Sequence, residues 1–120
     1  MIRIVIESMS DFTQEEAKAA DLIVMPLPIR FGMEEYWDDG VSLTQDDFYA
    51  RLRVAKELPK TSQVPVEHYR KCFNRLLENP EDEVLVITGS SKLSGCYQSA
   101  CIAREACHDP ARVTVLDSLN

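Results

Sequence analysis

Residues 83–99 read EVLVITGSSKLSGCYQS, and this stretch decides the predicted fold. Its first five residues are an apolar run rich in β-branched side chains, which is typical of a strand covered on both faces. Small side chains then recur at helical spacing, at Cys96, Ala100, Ala103 and Cys107. Such a stripe lets a helix lie close against a sheet. The stretch therefore predicts a strand, a hydroxyl-rich turn and a helix.

The turn between that strand and that helix is suited to an anion. Backbone N–H groups at the start of a helix point outward with the positive end of its dipole, and Ser90, Ser91 and Ser94 add rotatable donors beside them. A plainer interpretation is that Ser91 or Ser94 only caps the helix. On this stretch alone both interpretations stay open.

The rest of the chain alternates strands with helices. Further strands are predicted at residues 2–6, 22–25 and 112–116, and a hairpin at residues 29–37 around Gly32. Helices are predicted after the capping-box residue Thr13, after Thr44 and after Pro65. The helix after Thr44 is expected to turn Phe48, Leu52 and Ala55 inward. The helix after Pro65 carries the clearest apolar stripe, with Tyr69, Cys72, Phe73, Leu76 and Leu77.

This alternation predicts an α/β fold. Strands separated by helices imply right-handed crossovers and a mostly parallel sheet with helices on both faces. In such sheets ligands bind beyond the carboxyl ends of the strands. Polar residues follow three of the predicted strands, at residues 7–8, 90–91 and 117–118, and the loop at residues 61–63 adds further hydroxyls. These segments are expected to share one rim.

Composition limits the classes of function. With 120 residues, one domain over residues 1–120 is expected. The net charge is −7 and no basic patch interleaves with aromatic residues, which argues against nucleic acid and anionic membranes as partners. No apolar run approaches a membrane span and no export signal is evident, so a cytoplasmic protein without membrane insertion is expected. The four cysteines form no C-x-x-C pair, so neither a disulfide framework nor a metal site is expected.

Catalytic motifs are largely missing. The segment around Ser91 lacks the second glycine of G-x-S-x-G, and no P-loop is present. His68 and His108 are interpreted as surface or helix-end residues. One alternative is an enzyme on a small substrate with Cys96 or a rim serine as nucleophile, since a thiol near a helix start would have a lowered pKa. Another is an interaction domain that uses the acidic region of residues 34–47.

Several motifs together resemble the DegV family. They are K-T-S-Q at residues 60–63, S-K-L-S-G-C-Y-Q-S-A at 91–100, I-V-I-E-S at 4–8 with Asp11, P-L-P at 26–28 and V-L-D-S at 115–118. Their order and spacing match the family over essentially the whole chain. The chain departs from the family pattern at Glu7, where Asp is usual, at Val64, where Pro is preferred, and at Lys92 and Cys96, where Gly and Thr are common.

The resemblance implies a fatty-acid-binding protein and not an enzyme. Thr61, Ser62, Ser94 and Gly95 would hold the carboxylate of a long-chain fatty acid, with no cofactor. In some members the bound acid is presented to a separate fatty acid kinase for phosphorylation. Family members carry a second, C-terminal domain that closes the lipid tunnel, so residues 1–120 are expected to be the N-terminal domain without its partner.

Overall fold

The computed structural model describes all 120 residues. In chain order the strands are β1 (Ile2–Glu7), β2 (Leu22–Met25), β3 (Pro28–Phe31), β4 (Glu34–Trp37), β5 (Lys60–Thr61), β6 (Glu83–Thr88) and β7 (Val113–Asp117). The helices are α1 (Gln14–Ala19), α2 (Gln45–Val54), α3 (Val66–Leu76) and α4 (Cys96–Ala106), with short 3-10 turns at Ser8–Ser10 and Pro110–Arg112.

The main sheet has four parallel strands in the order β2-β1-β6-β7. The crossover through α1 leads from β1 to one edge, and the crossover through α4 leads from β6 to the other edge. Right-handed connections in opposite directions place their helices on opposite faces of the sheet. The predicted parallel α/β fold with helices on both faces is therefore confirmed.

One face of the sheet holds the core. Val5 and Val86 lie side by side on neighbouring strands and are fully buried beneath α3 and α4. All five members of the predicted stripe of α3 are buried, as are Cys96, Ala100, Ala103 and Cys107 along α4. The small residues of α4 thus pack against the sheet as the sequence predicts.

The opposite face is covered less completely than the apolar run of residues 83–87 predicts. Leu85 and Ile87 of β6 are half-buried, and Leu116 of β7 is 51% exposed. On this side α1 has only six residues, buries only Ala17 and lies against β2, at the edge of the sheet away from β7. The expectation of a strand covered on both faces therefore holds fully for only one face.

A second, antiparallel sheet has the strand order β4-β3-β5. The predicted hairpin is confirmed, with Gly32 at a positive φ of 60° in its turn. The short strand β5 was not predicted. It pairs Thr61 with Ile29 and so attaches the loop of residues 58–65 to the hairpin.

The predicted inward face of α2 is wrong in part. No residue of this helix is buried, Phe48 and Leu52 are half-buried, and Ala55 lies exposed beyond the helix end. Phe48 packs on Phe31 of the small sheet, with ring centroids 5.7 Å apart. The helix lies against this narrow sheet, which offers too little surface to bury a full helical stripe. No helix of the chain has the length and apolar character needed to cross a bilayer.

Candidate functional site

Two loops meet at the carboxyl end of the parallel sheet. The Gln63 side chain lies directly against Gly95, where a β-carbon would overlap its amide group. One residue further along both segments, the Val64 N–H donates to Cys96 Sγ at 3.3 Å. The structure therefore joins the end of the T-S-Q segment to the L-S-G segment.

The start of α4 offers free hydrogen-bond donors. The Ser94 hydroxyl oxygen accepts from the Cys96 N–H at 3.2 Å, and the hydroxyl lies close enough to the Cys96 thiol to lower its pKa. The N–H groups of Gly95, Tyr97 and Gln98 take part in none of the chain's hydrogen bonds. The expected capping by Ser91 or Ser94 is wrong, because Gly95 is the N-cap of α4 and no side chain caps the helix.

An open cleft of about 540 Å³ lies at this helix start. It is lined by Ser91, Leu93, Ser94, Gly95, Tyr97, Gln98 and Cys101. Leu93 is 82% exposed, so the cleft presents apolar surface beside its donors. Such a combination suits an amphipathic ligand with an anionic end.

Thr61 and Ser62 do not line this cleft and adjoin it through Gln63. Both residues are exposed, and their hydroxyls make no hydrogen bond within the chain. Backbone bonding holds them in place, since Thr61 pairs with Ile29 and the Ser62 N–H donates to the Pro28 carbonyl at 3.2 Å. The structure thus places Ser94 and Gly95 in one cleft and Thr61 and Ser62 at its border.

The other predicted rim residues have structural partners. Ser8 is buried, and its hydroxyl oxygen accepts from the Leu27 N–H at 3.0 Å. Ser90 is also buried and accepts from the Lys92 N–H at 3.2 Å. Asp117 accepts from the Ser91 N–H at 3.2 Å, and its hydrogen bond with the Ser91 side chain is the main cause that lowers the pKa of its carboxyl. These residues shape the rim.

Cys96 has the opposite acidity to the one expected from its position. Burial is the main cause that raises the pKa of its thiol, and a hydrogen bond to the Glu7 carboxylate raises it further. The side chain is fully buried. Desolvation and a neighbouring anion therefore outweigh the helix dipole, and the expected lowering of the Cys96 pKa is wrong.

Glu7 was expected at the rim of the sheet, but neither its burial nor its hydrogen bonds were predicted. It is 2% exposed at the end of β1. Its Oε1 accepts from the Gly89 N–H at 2.9 Å, and its Oε2 accepts from the Tyr69 hydroxyl at 3.4 Å. A signal was present in the alternation of β1, because Glu7 shares the buried face of Val5.

Gly89 is needed for this arrangement. A β-carbon there would lie 2.7 Å from Glu7 Oε1 and 2.8 Å from Met9 Cε, closer than real contacts allow. All four cysteines are free thiols, and no group of three or more His, Cys, Asp or Glu side chains could hold a metal ion.

Fold and site together define a parallel α/β domain with an open cleft at the carboxyl ends of its strands. The DegV family model matches residues 1–120, and the chain belongs to that family. A DegV domain-containing protein of Caldanaerobacter subterraneus is 38% identical over 117 residues, covering 98% of this chain and 40% of that protein. A fatty acid-binding protein of Thermotoga maritima is 35% identical over 125 residues, covering 98% of this chain and 41% of that protein.

Solved structures give the same result. The chain superimposes on a stearic acid-binding protein of Eubacterium ventriosum with a TM-score of 0.87 and 32% identity, covering 98% of this chain and 41% of that one. The chain thus spans about 40% of the length of the relatives that it matches.

Proposed function

We propose that this domain binds the carboxylate of a long-chain fatty acid, with Thr61, Ser62, Ser94 and Gly95 as its ligands, and that it has no catalytic activity of its own. The observation that carries the proposal is the contact of Gln63 with Gly95. It joins two segments with unbonded donors, the Thr61 and Ser62 hydroxyls on one side and the start of α4 on the other.

The number of donors matters because a carboxylate taken from water must recover its hydrogen bonds. An unpaired charge in an apolar site is far too costly to keep, so several donors are needed to offset its desolvation. The proposed set supplies three hydroxyls and the N–H groups at the start of α4. Each buried methylene of the alkyl chain adds about 0.8 kcal/mol, so most of the affinity would come from the chain and the selectivity from the donors.

Relatives support this assignment by what they bind. The Thermotoga maritima relative is a fatty acid-binding protein, and the Eubacterium ventriosum relative binds stearic acid. Both align over nearly the whole of this chain. The proposed fatty acid is accordingly a ligand, and the proposal includes no cofactor.

The enzymatic alternative has less support. Its candidate nucleophile Cys96 is buried with a raised pKa, so little thiolate forms at neutral pH. The hydroxyl oxygens of Ser8 and Ser90 are buried acceptors of backbone N–H groups. The interaction-domain alternative is also weakened, because Glu34 in its acidic region pairs with Arg51 at 2.8 Å within the chain.

We further propose, from the family resemblance, that the bound acid is presented to a fatty acid kinase in the cytoplasm. An acyl group held by its carboxylate at the rim of a sheet would leave that end near the surface. A kinase could then reach it without release of the alkyl chain.

The test is mass spectrometry of organic extracts from the purified complete protein that contains residues 1–120. A stoichiometric fatty acid is expected. Titration with oleic acid and oleyl alcohol then tests the head-group assignment, and the acid is expected to bind at least about tenfold tighter, as about 1.4 kcal/mol of charge-assisted hydrogen bonding requires. Equal affinity for both probes would remove the carboxylate site from the proposal.

A further inference from the structure

The Glu7 carboxylate is buried without a cation. None of the ion pairs of the chain includes it. Its hydrogen-bond donors are neutral, the Gly89 N–H at 2.9 Å and the Tyr69 hydroxyl at 3.4 Å, and the Cys96 thiol lies near enough for the carboxylate to raise the pKa of that thiol. A carboxylate in such a place costs free energy that its hydrogen bonds must offset. Core packing alone does not account for a buried carboxylate that lowers stability in this way.

These two donors and Cys96 come from the elements that carry the proposed head-group site. Gly89 begins the loop that leads to Ser94, and Cys96 is the first residue of α4. Tyr69 belongs to α3, which follows the T-S-Q segment after Val64 and Pro65. One carboxylate on β1 therefore contacts both segments through their supporting elements.

Cys96 connects this cluster to the ligand residues directly. Its Sγ accepts from the Val64 N–H at 3.3 Å, next to the T-S-Q segment. Its own N–H donates to Ser94 Oγ at 3.2 Å. A change in the position of Cys96 would therefore move both segments.

We propose that Glu7 is a positioning residue for the fatty acid site, holding the T-S-Q and L-S-G segments in register through Gly89, Tyr69 and Cys96. This inference rests on the proposed function, since it concerns the geometry of the same site. Glu7 itself does not touch the ligand.

The direction in which acid affinity changes when Glu7 is replaced distinguishes a positioning role from a purely electrostatic one. A buried anion near an anionic ligand repels it, so removal of the charge alone would tighten acid binding. Glu7→Gln removes the charge and keeps the shape. Its amide has one acceptor oxygen, and its NH₂ group must face one of the former donors. Positioning by Glu7 therefore predicts weaker acid binding in this variant.

The experiment compares Glu7→Gln with Asp82→Asn in the complete protein. Asp82 is a matched control because it is also buried but lies at the amino end of the parallel strands, just before β6, 3.5 Å from the Met1 amine and 3.9 Å from Arg3. Dissociation constants are measured for oleic acid and oleyl alcohol. We expect Glu7→Gln to weaken oleic acid binding about tenfold, as loss of a buried charged hydrogen bond would, and to reduce the preference for acid over alcohol. Asp82→Asn should leave that preference unchanged.

Glu7→Asp provides a conservative rescue. It keeps the carboxylate one methylene further back, and its acid affinity is expected to lie between those of wild type and Glu7→Gln. If Glu7→Gln does not fold, Tyr69→Phe removes a single donor and should show a smaller loss in the same direction. An unchanged or increased preference for acid in the folded variants overturns the proposal.

If the wild-type protein binds neither oleic acid nor oleyl alcohol, the proposed function is refuted. A second measurement still tests the positioning role of Glu7 in that case. Amide hydrogen exchange at Val64, Gly89 and Cys96 is then compared between the two variants. Selective acceleration of these amides in Glu7→Gln supports the positioning role, and equal exchange in Glu7→Gln and Asp82→Asn overturns it.

Discussion

Gln63 packs its amide group against the α-carbon of Gly95, in the space that a β-carbon would occupy. The two residues are 32 positions apart and belong to separate motifs of the sequence. Gly95 has a φ of −84°, which any residue adopts, so it is close approach and not backbone freedom that calls for glycine here.

Gly95→Ala is therefore expected to push the Gln63 amide away and to weaken fatty acid binding several-fold. Because Gln63 is a flexible surface side chain, the free energy of unfolding should fall by no more than about 1 kcal/mol, at the low end of overpacking costs. Titration with oleic acid and urea denaturation measure the two effects. The double variant Gln63→Ala with Gly95→Ala should recover part of the affinity, and no recovery would show that this contact does not set it.

Ser94→Ala should weaken oleic acid binding about tenfold, because it removes a proposed donor to the carboxylate. It also removes the acceptor for the Cys96 N–H, so part of the effect could be lost helix stability. Thr44→Ala is the matched control, since Thr44 accepts from the Asp47 N–H at 3.1 Å at the start of α2. Thr44→Ala should lose about 1 kcal/mol of stability as an N-cap substitution, and Ser94→Ala should lose about as much because it removes one hydrogen bond to the Cys96 N–H. Only Ser94→Ala should lose affinity, and equal affinities in both would count against Ser94 as a ligand.

Gly89→Ala should destabilise the fold by about 1–3 kcal/mol, because the new methyl group meets the buried Glu7 carboxylate, whereas the exposed Met9 side chain can move aside. Gly32→Ala separates this steric cost from backbone strain. Gly32 has a φ of 60° and open space around its α-carbon, so its substitution should cost about 1 kcal/mol. Urea denaturation measures both variants, and a smaller loss for Gly89→Ala than for Gly32→Ala contradicts the prediction.

Cys96 should react slowly with iodoacetamide at neutral pH, because the thiol is buried and its pKa is raised. Cys101 is only half-buried beside the cleft and should react first. Peptide mapping by mass spectrometry after timed labelling gives the order. Faster labelling of Cys96 than of Cys101 would revive the view that Cys96 is a nucleophile.

Stability should fall as the pH rises through the alkaline range. Burial is the main cause that raises the pKa of Tyr69 and of Cys96 above their ordinary values of 10.0 and 9.0. The folded chain then keeps protons that the unfolded chain loses, so unfolding is favoured above about pH 9 and stability is unaffected by these groups below it. Urea midpoints from pH 7 to 10.5 measure the slope. Tyr69→Phe should flatten its upper part, and a slope equal to that of wild type contradicts the assignment to Tyr69.

Most of the fold could be predicted from local patterns. The stripe of α3, the apolar run of β6 and the capping box at Thr13 each depend on residues close in sequence, and all three elements form. The parallel arrangement follows from the alternation of strands and helices, because crossover handedness leaves few alternatives. The motifs likewise indicated the DegV family before any contact was known.

Other features depend on surfaces that meet only in three dimensions. Whether α2 is buried depends on the small sheet beside it, and whether Leu85 and Ile87 are covered depends on what packs on the second face of β6. The hydrophobic periodicity of a helix or strand does not reveal what packs against it. Sequence-based prediction was wrong at these places for that reason.

The residues by themselves determined the elements of the main sheet, its parallel arrangement and the two hydroxyl-bearing segments, because propensity, capping and strand handedness act over short distances. Only the tertiary structure decided that Gln63 lies on Gly95, that Glu7 is buried without a cation and that the Cys96 thiol stays protonated. The physical reason is that close contact and desolvation are properties of groups brought together from distant positions. From the sequence alone, the position of Cys96 at a helix start favours ionisation of its thiol. The Glu7 carboxylate, which disfavours that ionisation, lies 89 residues earlier in the chain.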